Sequence, residues 1–332
     1  MILAGDVGGT NVRLALVERA GGRLVCREVA KLPSRDFGSL EEALVRFLGT
    51  RRPAEAAAFG VAGPVRRGRC EATNLPWVVD AAALAARLGL PGVVLVNDLV
   101  ANGLGLSELS PDDLAVVNRG EEDPEGCRAL VSAGTGLGEA FLVREGDGWR
   151  ALPSEGGHAS FAPRSPWEID LLRHLLRELS HVSVERLVSG RGLVALYRFE
   201  RERSGIPEPE WLREERTRGD DPAPAISAAA LSGRDPVAAR TLEHWVSLYG
   251  AEAGNLALKV MATGGVFLGG GIAPKVLPKI LDGTFFGAFC GKGRLEALLA
   301  RIPVMVVLNE ECALLGAAAA AAAVGGREGR KP

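Results

Sequence analysis

The hydrophobic and polar positions at the start of the chain predict short strands that follow one another through tight turns. Apolar residues dominate Ile2 to Gly5, Val12 to Val17 and Leu24 to Val29, and turn-forming residues such as Gly21-Gly22 separate these runs. Short runs divided by glycine-containing turns are typical of hairpins. Apolar residues then recur at helical spacing from Leu40 to Leu48. The chain is therefore predicted to begin with two hairpins and a helix.

Strand and helix patterns alternate after these hairpins. Ala56 to Ala62 and Val93 to Val96 have the composition of buried strands, and a helix is predicted between them over Ala81 to Leu88. A wholly apolar strand such as Val93 to Val96 is typical of a sheet that is covered on both faces. A second strand, glycine-rich turn and return strand occupies 129–143. The pattern predicts an α/β fold with mixed sheets, and its two strand–turn–strand units predict two similar halves that face a cleft.

The rest of the chain is predicted to be largely helical. Helical patterns span Pro166 to Leu179 and Asp235 to Ala262, and the chain ends with a strand over Pro303 to Leu308 and a helix over Glu311 to Val324. Between the two long helices, Glu200 to Pro224 is charged and rich in proline. That composition predicts a surface insertion or a flexible loop.

Composition narrows the class of protein. The 332 residues are 47% apolar and 24% charged, which excludes a disordered chain, a collagen and a disulfide miniprotein. The net charge is −2 (39 basic against 41 acidic residues), so it gives no reason to expect a nucleic-acid or membrane partner. The five cysteines are widely scattered, which favours free thiols. With no signal peptide pattern at the start, we expect a cytoplasmic protein.

Three glycine-rich turns are candidate ligand sites. The first, Gly5 to Asn11, contains an acid and a threonine. Its backbone N–H groups could converge on an anion, and Asp6 could order Mg²⁺ through water. The second, Ser132 to Gly138, is neither a dinucleotide fingerprint nor a Walker loop, but it could cradle phosphate in a hairpin. The third, Gly269 to Gly271, would let a flat purine ring approach the backbone. Each is equally consistent with a plain turn.

Polar residues at two other places are candidate catalytic or binding groups. Asn97-Asp98 follows the buried strand Val93 to Val96, where open α/β sheets bind ligands, and Asp98 could accept a proton from a hydroxyl group. Asp98 could instead simply cap the next helix. Glu155 and His158 are three residues apart across two glycines and could bind a polyol, while an isolated histidine is commonly structural. Glu185 is a further candidate, with an exposed helix-end acid as its alternative.

Taken together, these segments resemble the bacterial glucokinases, which are ATP-dependent sugar kinases of the actin/hexokinase/Hsp70-like fold. The resemblance runs almost end to end, and the ordered set of motifs is far more specific than any single motif. The motifs that carry it are Gly5-Asp-Val-Gly-Gly-Thr-Asn11, Gly63-Pro-Val65, Thr73-Asn-Leu-Pro-Trp77, Val96-Asn-Asp98, Gly134-Thr-Gly-Leu-Gly138, Glu155-Gly-Gly-His158, Phe161-Ala-Pro163, Leu187-Val-Ser-Gly190, Gly254-Asn-Leu-Ala257, Gly269-Gly-Gly-Ile272, Lys292-Gly-Arg294 and Leu314-Leu-Gly-Ala317.

The resemblance implies a role for each candidate residue. Asp98 would be the catalytic base on the 6-hydroxyl of glucose, and Gly269, Gly270 and Gly271 would lie by the adenosine of ATP. Sugar binding is implied for Asn97, Asp98, Glu155, His158 and Glu185. The phosphates of ATP, with Mg²⁺ held through water by Asp6, would be gripped by Gly5, Asp6, Val7, Gly8, Gly9, Thr10, Gly134, Thr135 and Gly136.

The resemblance also implies the organisation of the molecule. Two actin-like (ribonuclease H-like) domains with mixed sheets would flank a central cleft and close over the sugar. The small domain would comprise residues 1–108 and 306–325, the large domain 109–305, and residues 326–332 would form a flexible tail. The family further implies a homodimer.

Three positions depart from the family's patterns. Related kinases and repressors carry a cysteine-rich zinc motif after the Glu-x-Gly-His sequence, whereas Ser160-Phe-Ala-Pro follows here, so no structural zinc is expected. Asn309-Glu-Glu-Cys312 replaces a more usual acid–Asn–Pro–Gly run. Ser160 also stands where many relatives have aspartate.

Two other functions compete with a kinase. A sugar-responsive regulator would be indicated by a basic helix-turn-helix, but this chain starts directly at its first strand. A nicotinamide dehydrogenase would be indicated by a clean G-x-G-x-x-G, which is missing. The kinase interpretation explains more of the glycine turns and polar pairs than either alternative.

Overall fold

The computed structural model describes residues 1–51, 55–72, 75–219 and 221–328. Thr73 and Asn74, which begin one of the motifs above, and the last residues of the predicted tail, 329–332, lie outside the described residues. The strands are β1 (Ile2–Val7), β2 (Asn11–Ala20), β3 (Arg23–Pro33), β4 (Ala56–Val61), β5 (Val65–Arg66), β6 (Arg69–Glu71), β7 (Val78–Asp80), β8 (Val93–Asn97), β9 (Leu114–Asn118), β10 (Arg128–Ala133), β11 (Leu137–Glu145), β12 (Gly148–Ser154), β13 (Val266–Gly269) and β14 (Val304–Val307).

Helices account for most of the remaining described chain. The α-helices are α1 (Leu40–Leu48), α2 (Ala81–Leu88), α3 (Asp98–Gly105), α4 (Pro166–Leu175), α5 (Gly190–Ser204), α6 (Glu210–Arg218), α7 (Pro222–Leu231), α8 (Pro236–Val260), α9 (Leu277–Leu281), α10 (Thr284–Cys290), α11 (Glu296–Ala300) and α12 (Cys312–Glu328). Short 3-10 helices lie at Ser34–Asp36, Leu106–Glu108, Pro111–Asp113, Gly156–His158, Val184–Arg186, Ala273–Val276 and Gly293–Leu295. Within the described residues, no helix is both long enough and apolar enough to span a lipid bilayer.

The chain divides into two compact units. The first comprises Met1–Leu114, Leu142–Pro153 and the segment from Asn309 onward, and the second comprises Ala115–Phe141 and Ser154–Leu308. Residues 142–153 belong to the first unit, whereas the predicted boundaries at 108/109 and 305/306 place them in the large domain.

The first unit is built on a five-stranded mixed sheet in the order β3-β2-β1-β4-β8. β1 pairs antiparallel with β2 and parallel with β4, and β4 pairs parallel with β8. Successive residues of β1 enter different clusters: Leu3 packs with residues of α1 and α2, whereas Ala4 packs with residues of α3 and α12. Since strand side chains alternate between faces, both faces of this sheet are covered. The predicted hairpins, the α1 helix and the α2 helix are confirmed.

Alanine and glycine in α12 allow it to lie unusually close to α3. A Cβ added to Gly316 would stand 1.7 Å from the carbonyl oxygen of Ala101, and one added to Gly105 would stand 2.0 Å from that of Cys312. Neither position can hold a side chain unless a helix moves. The alanine-rich C-terminal run is therefore part of the first unit's core, where Ala317 and Ala318 are fully buried.

The second unit contains parallel neighbours β10, β13 and β14, with the start of β11 on the other side of β10. Its core centres on α8, whose Trp245 and Tyr249 are fully buried. Asp235 caps α8 by accepting from the backbone N–H groups of Val237 and Ala238, and it also accepts from the hydroxyl of Tyr197 at 2.7 Å. These contacts satisfy a buried acid and fix where the long helix begins.

Of the two alternatives predicted for Glu200 to Pro224, the flexible loop was wrong. α5 continues to Ser204, α6 follows, and α7 begins at Pro222, which Asp221 precedes as a cap. Proline suits the first turn of a helix because the N–H it lacks would be unsatisfied there anyway. α12 runs through residues 326–328, which the predicted tail includes.

The C-terminus of α8 carries a backbone conformation that a single substitution can test. Met261 ends the helix at φ 49° and ψ 61°, and its side chain is 51% exposed. Glycine adopts this left-handed conformation without the steric penalty of a Cβ. We expect Met261→Gly to be more stable than Met261→Ala by about 1 kcal/mol. Urea unfolding of the two variants isolates the backbone effect, since both remove the same side chain; equal midpoints would contradict it.

Candidate functional site

The first glycine turn joins β1 to β2 and is tied down by a residue that lies beyond it in the chain. Gly8 N–H donates to Asn11 O at 3.0 Å. The buried Ser34 donates its N–H to Thr10 O and its hydroxyl to Gly8 O, at 3.0 and 2.7 Å. Thr10 is exposed, whereas Gly5 and Val7 are buried in β1. The turn thus presents its tip, residues 8–10, to solvent. Nothing in the sequence indicated the role of Ser34.

Asp6 lies in β1 opposite Arg13 of β2. Burial raises the pKa of the Asp6 carboxyl group above its ordinary value, and the nearby Arg13 guanidinium partly offsets this. Arg13 is also engaged elsewhere, because it donates to the backbone oxygen of Glu310 at 2.7 Å. Asp6 is therefore a carboxylate whose charge is only partly compensated by the protein.

Asn97, rather than Asp98, caps α3. Asn97 Oδ1 accepts from the N–H groups of Leu99 and Val100 at 3.0 and 3.4 Å, and Asn97 Nδ2 donates to Gly63 O at 3.2 Å. The alternative in which Asp98 serves merely as the cap is wrong. Asp98 is instead the first residue of the helix, and its carboxylate is not needed to start it.

β4 links the first turn to Asp98 at one edge of the first unit's sheet. Gly60 of β4 pairs with Asp6 on one side and with Val96 of β8 on the other. A Cβ added to Gly60 would stand 3.5 Å from the Cα of Asp98 and 3.8 Å from Gly5 O. The carboxyl ends of parallel strands meet at the same edge, so the candidate phosphate turn and the candidate base share that edge.

The second unit brings together the other candidate segments, beginning with the turn between β10 and β11. Gly134 N–H donates to Gly136 O at 2.8 Å, and Gly190 N–H donates to Gly134 O at 2.9 Å. Thr135 at the tip is exposed. The predicted hairpin is confirmed, and α5 is anchored to it by its first residue.

Glu185 connects this turn to the candidate sugar residues. Its Oε2 accepts from the N–H of Leu137 at 3.0 Å, and its Oε1 lies 4.0 Å from His158 Nδ1. His158 Nε2 lies in turn 3.8 Å from Glu155 Oε2. A Cβ on Gly136 would come within 2.5 Å of Glu185 Oε2, so a side chain there would displace this carboxylate. Glu155, His158 and Glu185 form one cluster directly beside the second turn.

The cluster is open to solvent. The side chains of Glu155 and His158 are 81% and 61% exposed, and that of Glu185 is 30% exposed. Two carboxylates and an imidazole together supply acceptors and a donor, which is the chemistry that a polyol requires.

The third glycine segment follows β13 and lies against the end of β10. Gly270 has φ 81°, and a Cβ there would stand 2.2 Å from Ala133 O. Ile272 N–H also donates to Ala133 O, at 3.3 Å. Gly270 and Gly271 are exposed whereas Gly269 is buried. The backbone at this strand end is therefore accessible and adjoins the second turn.

The sequence analysis missed one buried acid in this region. Glu139 follows the second turn and is 1% exposed. An acid among the mainly apolar residues of β11 is a signal that could have identified it. In the described part of the chain, no three histidine, cysteine or acidic side chains group as ligands for a metal ion.

Comparison with known proteins gives a consistent result. A family model described as Glucokinase matches residues 3–324. The glucokinase of Nostoc punctiforme is 42% identical over 340 residues, a match that covers 97% of this chain and 99% of that protein. Among solved structures, the glucokinase of an Antarctic psychrotroph is similar with a TM-score of 0.82 at 33% identity, covering 97% of this chain and 98% of that one.

A more distant structure shows how far the fold extends. The glucokinase of Balamuthia mandrillaris, solved in complex with glucose, has a TM-score of 0.80 at 22% identity and covers 97% of this chain and 93% of that one. This likeness concerns the fold alone. The mixed α/β class predicted from the sequence is confirmed, and every candidate site residue lies within the range that the family model matches.

Proposed function

Because this chain belongs to the glucokinase family, we propose that it transfers the γ-phosphoryl group of ATP to the 6-hydroxyl of D-glucose, giving glucose 6-phosphate and ADP. The observation that carries this proposal is the hydrogen bond from Leu137 N–H to Glu185, which ties a candidate phosphate turn to a candidate sugar acid. Phosphoryl transfer depends mainly on positioning the two substrates and stabilising charge, and this contact fixes the position of the sugar acid beside the turn.

Asp98 is the proposed general base. Its position after β8 is fixed by Asn97, which caps the helix in place of the Asp98 carboxylate. A carboxylate that accepts the proton of the 6-hydroxyl as the oxygen attacks raises the nucleophilicity of that oxygen. Positioning of the hydroxyl by the same group contributes as well.

The remaining hydroxyls of the sugar are proposed to bind Asn97, Glu155, His158 and Glu185. Glu185 can accept from a sugar hydroxyl while it also accepts from Leu137 N–H, since a carboxylate has several acceptor sites. Asn97 Oδ1 is committed to the cap, so its contribution would come from the second N–H of its amide. A site built to hydrogen-bond hydroxyls discriminates strongly against sugars that lack them.

The glycine turns are proposed to bind ATP. Backbone N–H groups of residues 8–10 and 134–136 would donate to phosphate oxygens, with the exposed Thr10 and Thr135 hydroxyls adding donors. Exposed backbone at Gly270 and Gly271 would adjoin the adenosine. These contacts require no side-chain charge, because the turns supply preorganised dipoles.

The residues present fit a magnesium ion bound with ATP. Burial disfavours the charged form of Asp6, and a cation beside it would relieve that cost. Mg²⁺ is commonly bound by only one or two carboxylates together with water and substrate phosphates. Asp6 can therefore be the single carboxylate that the protein supplies to the ion. When bound, the ion would neutralise charge on the phosphates.

We further propose that the protein is a cytoplasmic homodimer, as the family resemblance implies. The described cysteines are free thiols, which is consistent with a reducing compartment. Light scattering coupled to size-exclusion chromatography would measure the oligomeric state, and a monomer mass would contradict the dimer.

A coupled assay for glucose 6-phosphate tests the proposed reaction. Purified protein with ATP and Mg²⁺ is expected to turn over glucose with kcat in the range of about 1 to 100 s⁻¹ that is usual for kinases. A panel of hexoses should show the highest kcat/KM for glucose. Glucose binding without turnover would contradict the proposal and favour a sugar-responsive regulator.

A further inference from the structure

Glu139 in β11 is a buried acid that the proposed reaction does not use. Its side chain is 1% exposed, and within the described residues neither carboxyl oxygen meets a hydrogen-bond donor. Burying a carboxylate without donors is far more costly than burying the neutral acid. The surroundings therefore favour the protonated form of Glu139.

Glu252 of α8 is the acid with which Glu139 can share its proton. It is 4% exposed, and it lies close enough to Glu139 to raise the pKa of that carboxyl group. Two carboxyl groups can bond to each other only when one of them carries a proton. Glu252 Oε2 already accepts from Asn255 Nδ2 at 2.9 Å, and Glu252 Oε1 lies 3.4 Å from Lys259 Nζ. Because these partners stabilise the charge on Glu252, the proton resides on Glu139.

The electrostatics agree with this assignment. Burial, which is the largest cause, and the charge of Glu252 together raise the pKa of Glu139 to about 7, although Lys259 partly opposes them. The folded state then holds a proton that the unfolded chain releases at lower pH. The corresponding stability is fully present below the unfolded pKa and is lost as the pH rises through about 7.

Glu139 also lies directly against the loop formed by residues 155–158, here termed the sugar loop. A Cβ added to Gly156 would stand 1.9 Å from Glu139 Oε2, so the carboxyl group occupies the space that a side chain at Gly156 would take. A Cβ on Gly157 would stand 2.1 Å from Leu137 O in the same strand. The sugar loop therefore packs directly against the first residues of β11.

We propose that Glu139 is a positioning residue whose protonated carboxyl group, bonded to Glu252, holds the sugar loop in place beneath Gly156. Loss of the proton to solvent places two negative charges side by side, and their repulsion removes the carboxyl group from its place under the loop. The charged groups that face Glu139 are Glu252 and Lys259 on α8, and the sugar loop itself carries Glu155 and His158. The consequence for glucose binding rests on the proposed function.

Hydrogen–deuterium exchange of the full-length protein tests the loop directly. We expect protection of a peptide covering the sugar loop, corrected for intrinsic exchange rates, to fall about tenfold between pH 6 and pH 8, since the neutral fraction of an acid with a pKa near 7 falls by that factor. In Glu139→Gln the amide is neutral at every pH and can still donate to Glu252, so protection should stay constant. Glu145→Gln, an exposed change in the same strand, is the matched control and should behave as the wild type.

Glucose kinetics over the same pH range separate positioning from a general loss of structure. KM for glucose should rise about tenfold in the wild type between pH 6 and pH 8 and stay nearly constant in Glu139→Gln, with a smaller change in kcat. The two proteins differ only at residue 139, so the difference between the two curves reports on Glu139. An identical pH dependence in the two proteins, in exchange and in KM, would overturn the inference. Failure to phosphorylate glucose at any pH would refute the proposed function, while the exchange result would still decide the role of Glu139.

Discussion

Replacing Asp98 with asparagine is expected to lower kcat for glucose phosphorylation about 10³-fold, because the variant keeps the shape of the side chain but cannot accept the proton of the sugar hydroxyl. The structure gives a reason to expect that the variant folds. Asn97 supplies the cap of α3, so the carboxylate of Asp98 is not required to begin that helix. Glucose affinity, measured by titration calorimetry without ATP, should change little.

The exposed Asp112→Asn provides the matched control for this experiment. It makes the same chemical change elsewhere in the first unit and should leave kcat within twofold of the wild type, in keeping with a surface substitution. Near-full turnover in Asp98→Asn, with the far-ultraviolet circular dichroism of the wild type, would remove Asp98 from the role of base.

The second large effect is expected at Glu185. Glu185→Ala should lower kcat/KM for glucose about 10²-fold, because it removes a sugar acceptor and leaves the N–H of Leu137 without its partner. The loss should appear in KM as well as kcat, since the second turn and the sugar cluster share this residue. Steady-state kinetics over a wide range of glucose concentration measure both parameters.

Two further variants show whether the effect belongs to the site. Glu185→Gln retains an oxygen that can accept from Leu137 N–H, so its loss should be clearly smaller than that of the alanine variant. The exposed Glu178→Ala removes another acid seven residues earlier in the chain, and we expect it to leave kcat/KM unchanged. Equal losses in the glutamine and alanine variants would show that the hydrogen bond to the turn contributes nothing.

Much of the fold was predictable because its signals are local. The periodicity of Leu40–Leu48 and Ala81–Leu88 gave both helices with their observed limits. The stretch over Glu200 to Pro224 was missed for the opposite reason. A proline can break a helix or begin one, and Pro222 begins α7 because Asp221 caps the helix immediately before it.

The candidate site was predictable in its residue types but not in its contacts. Sequence alone could not decide between Asn97 and Asp98 as the cap, because either side chain can accept from the next N–H groups. It also gave no means of finding that Ser34 fixes the first turn or that Glu139 lies beneath Gly156. These contacts join residues that are far apart in the chain, so only the folded structure reveals them.

The place of α12 in the first unit has a consequence for how the protein is made. Its glycine-mediated packing on α3 means that the helix bearing Asp98 gains this partner only after residues 312–328 have left the ribosome. The second unit, whose segments end at Leu308, has its whole sequence exposed earlier during synthesis. A premature stop just before Cys312 should therefore yield a product that lacks α12. Its first unit should not fold completely, although every residue of the five-stranded sheet is present.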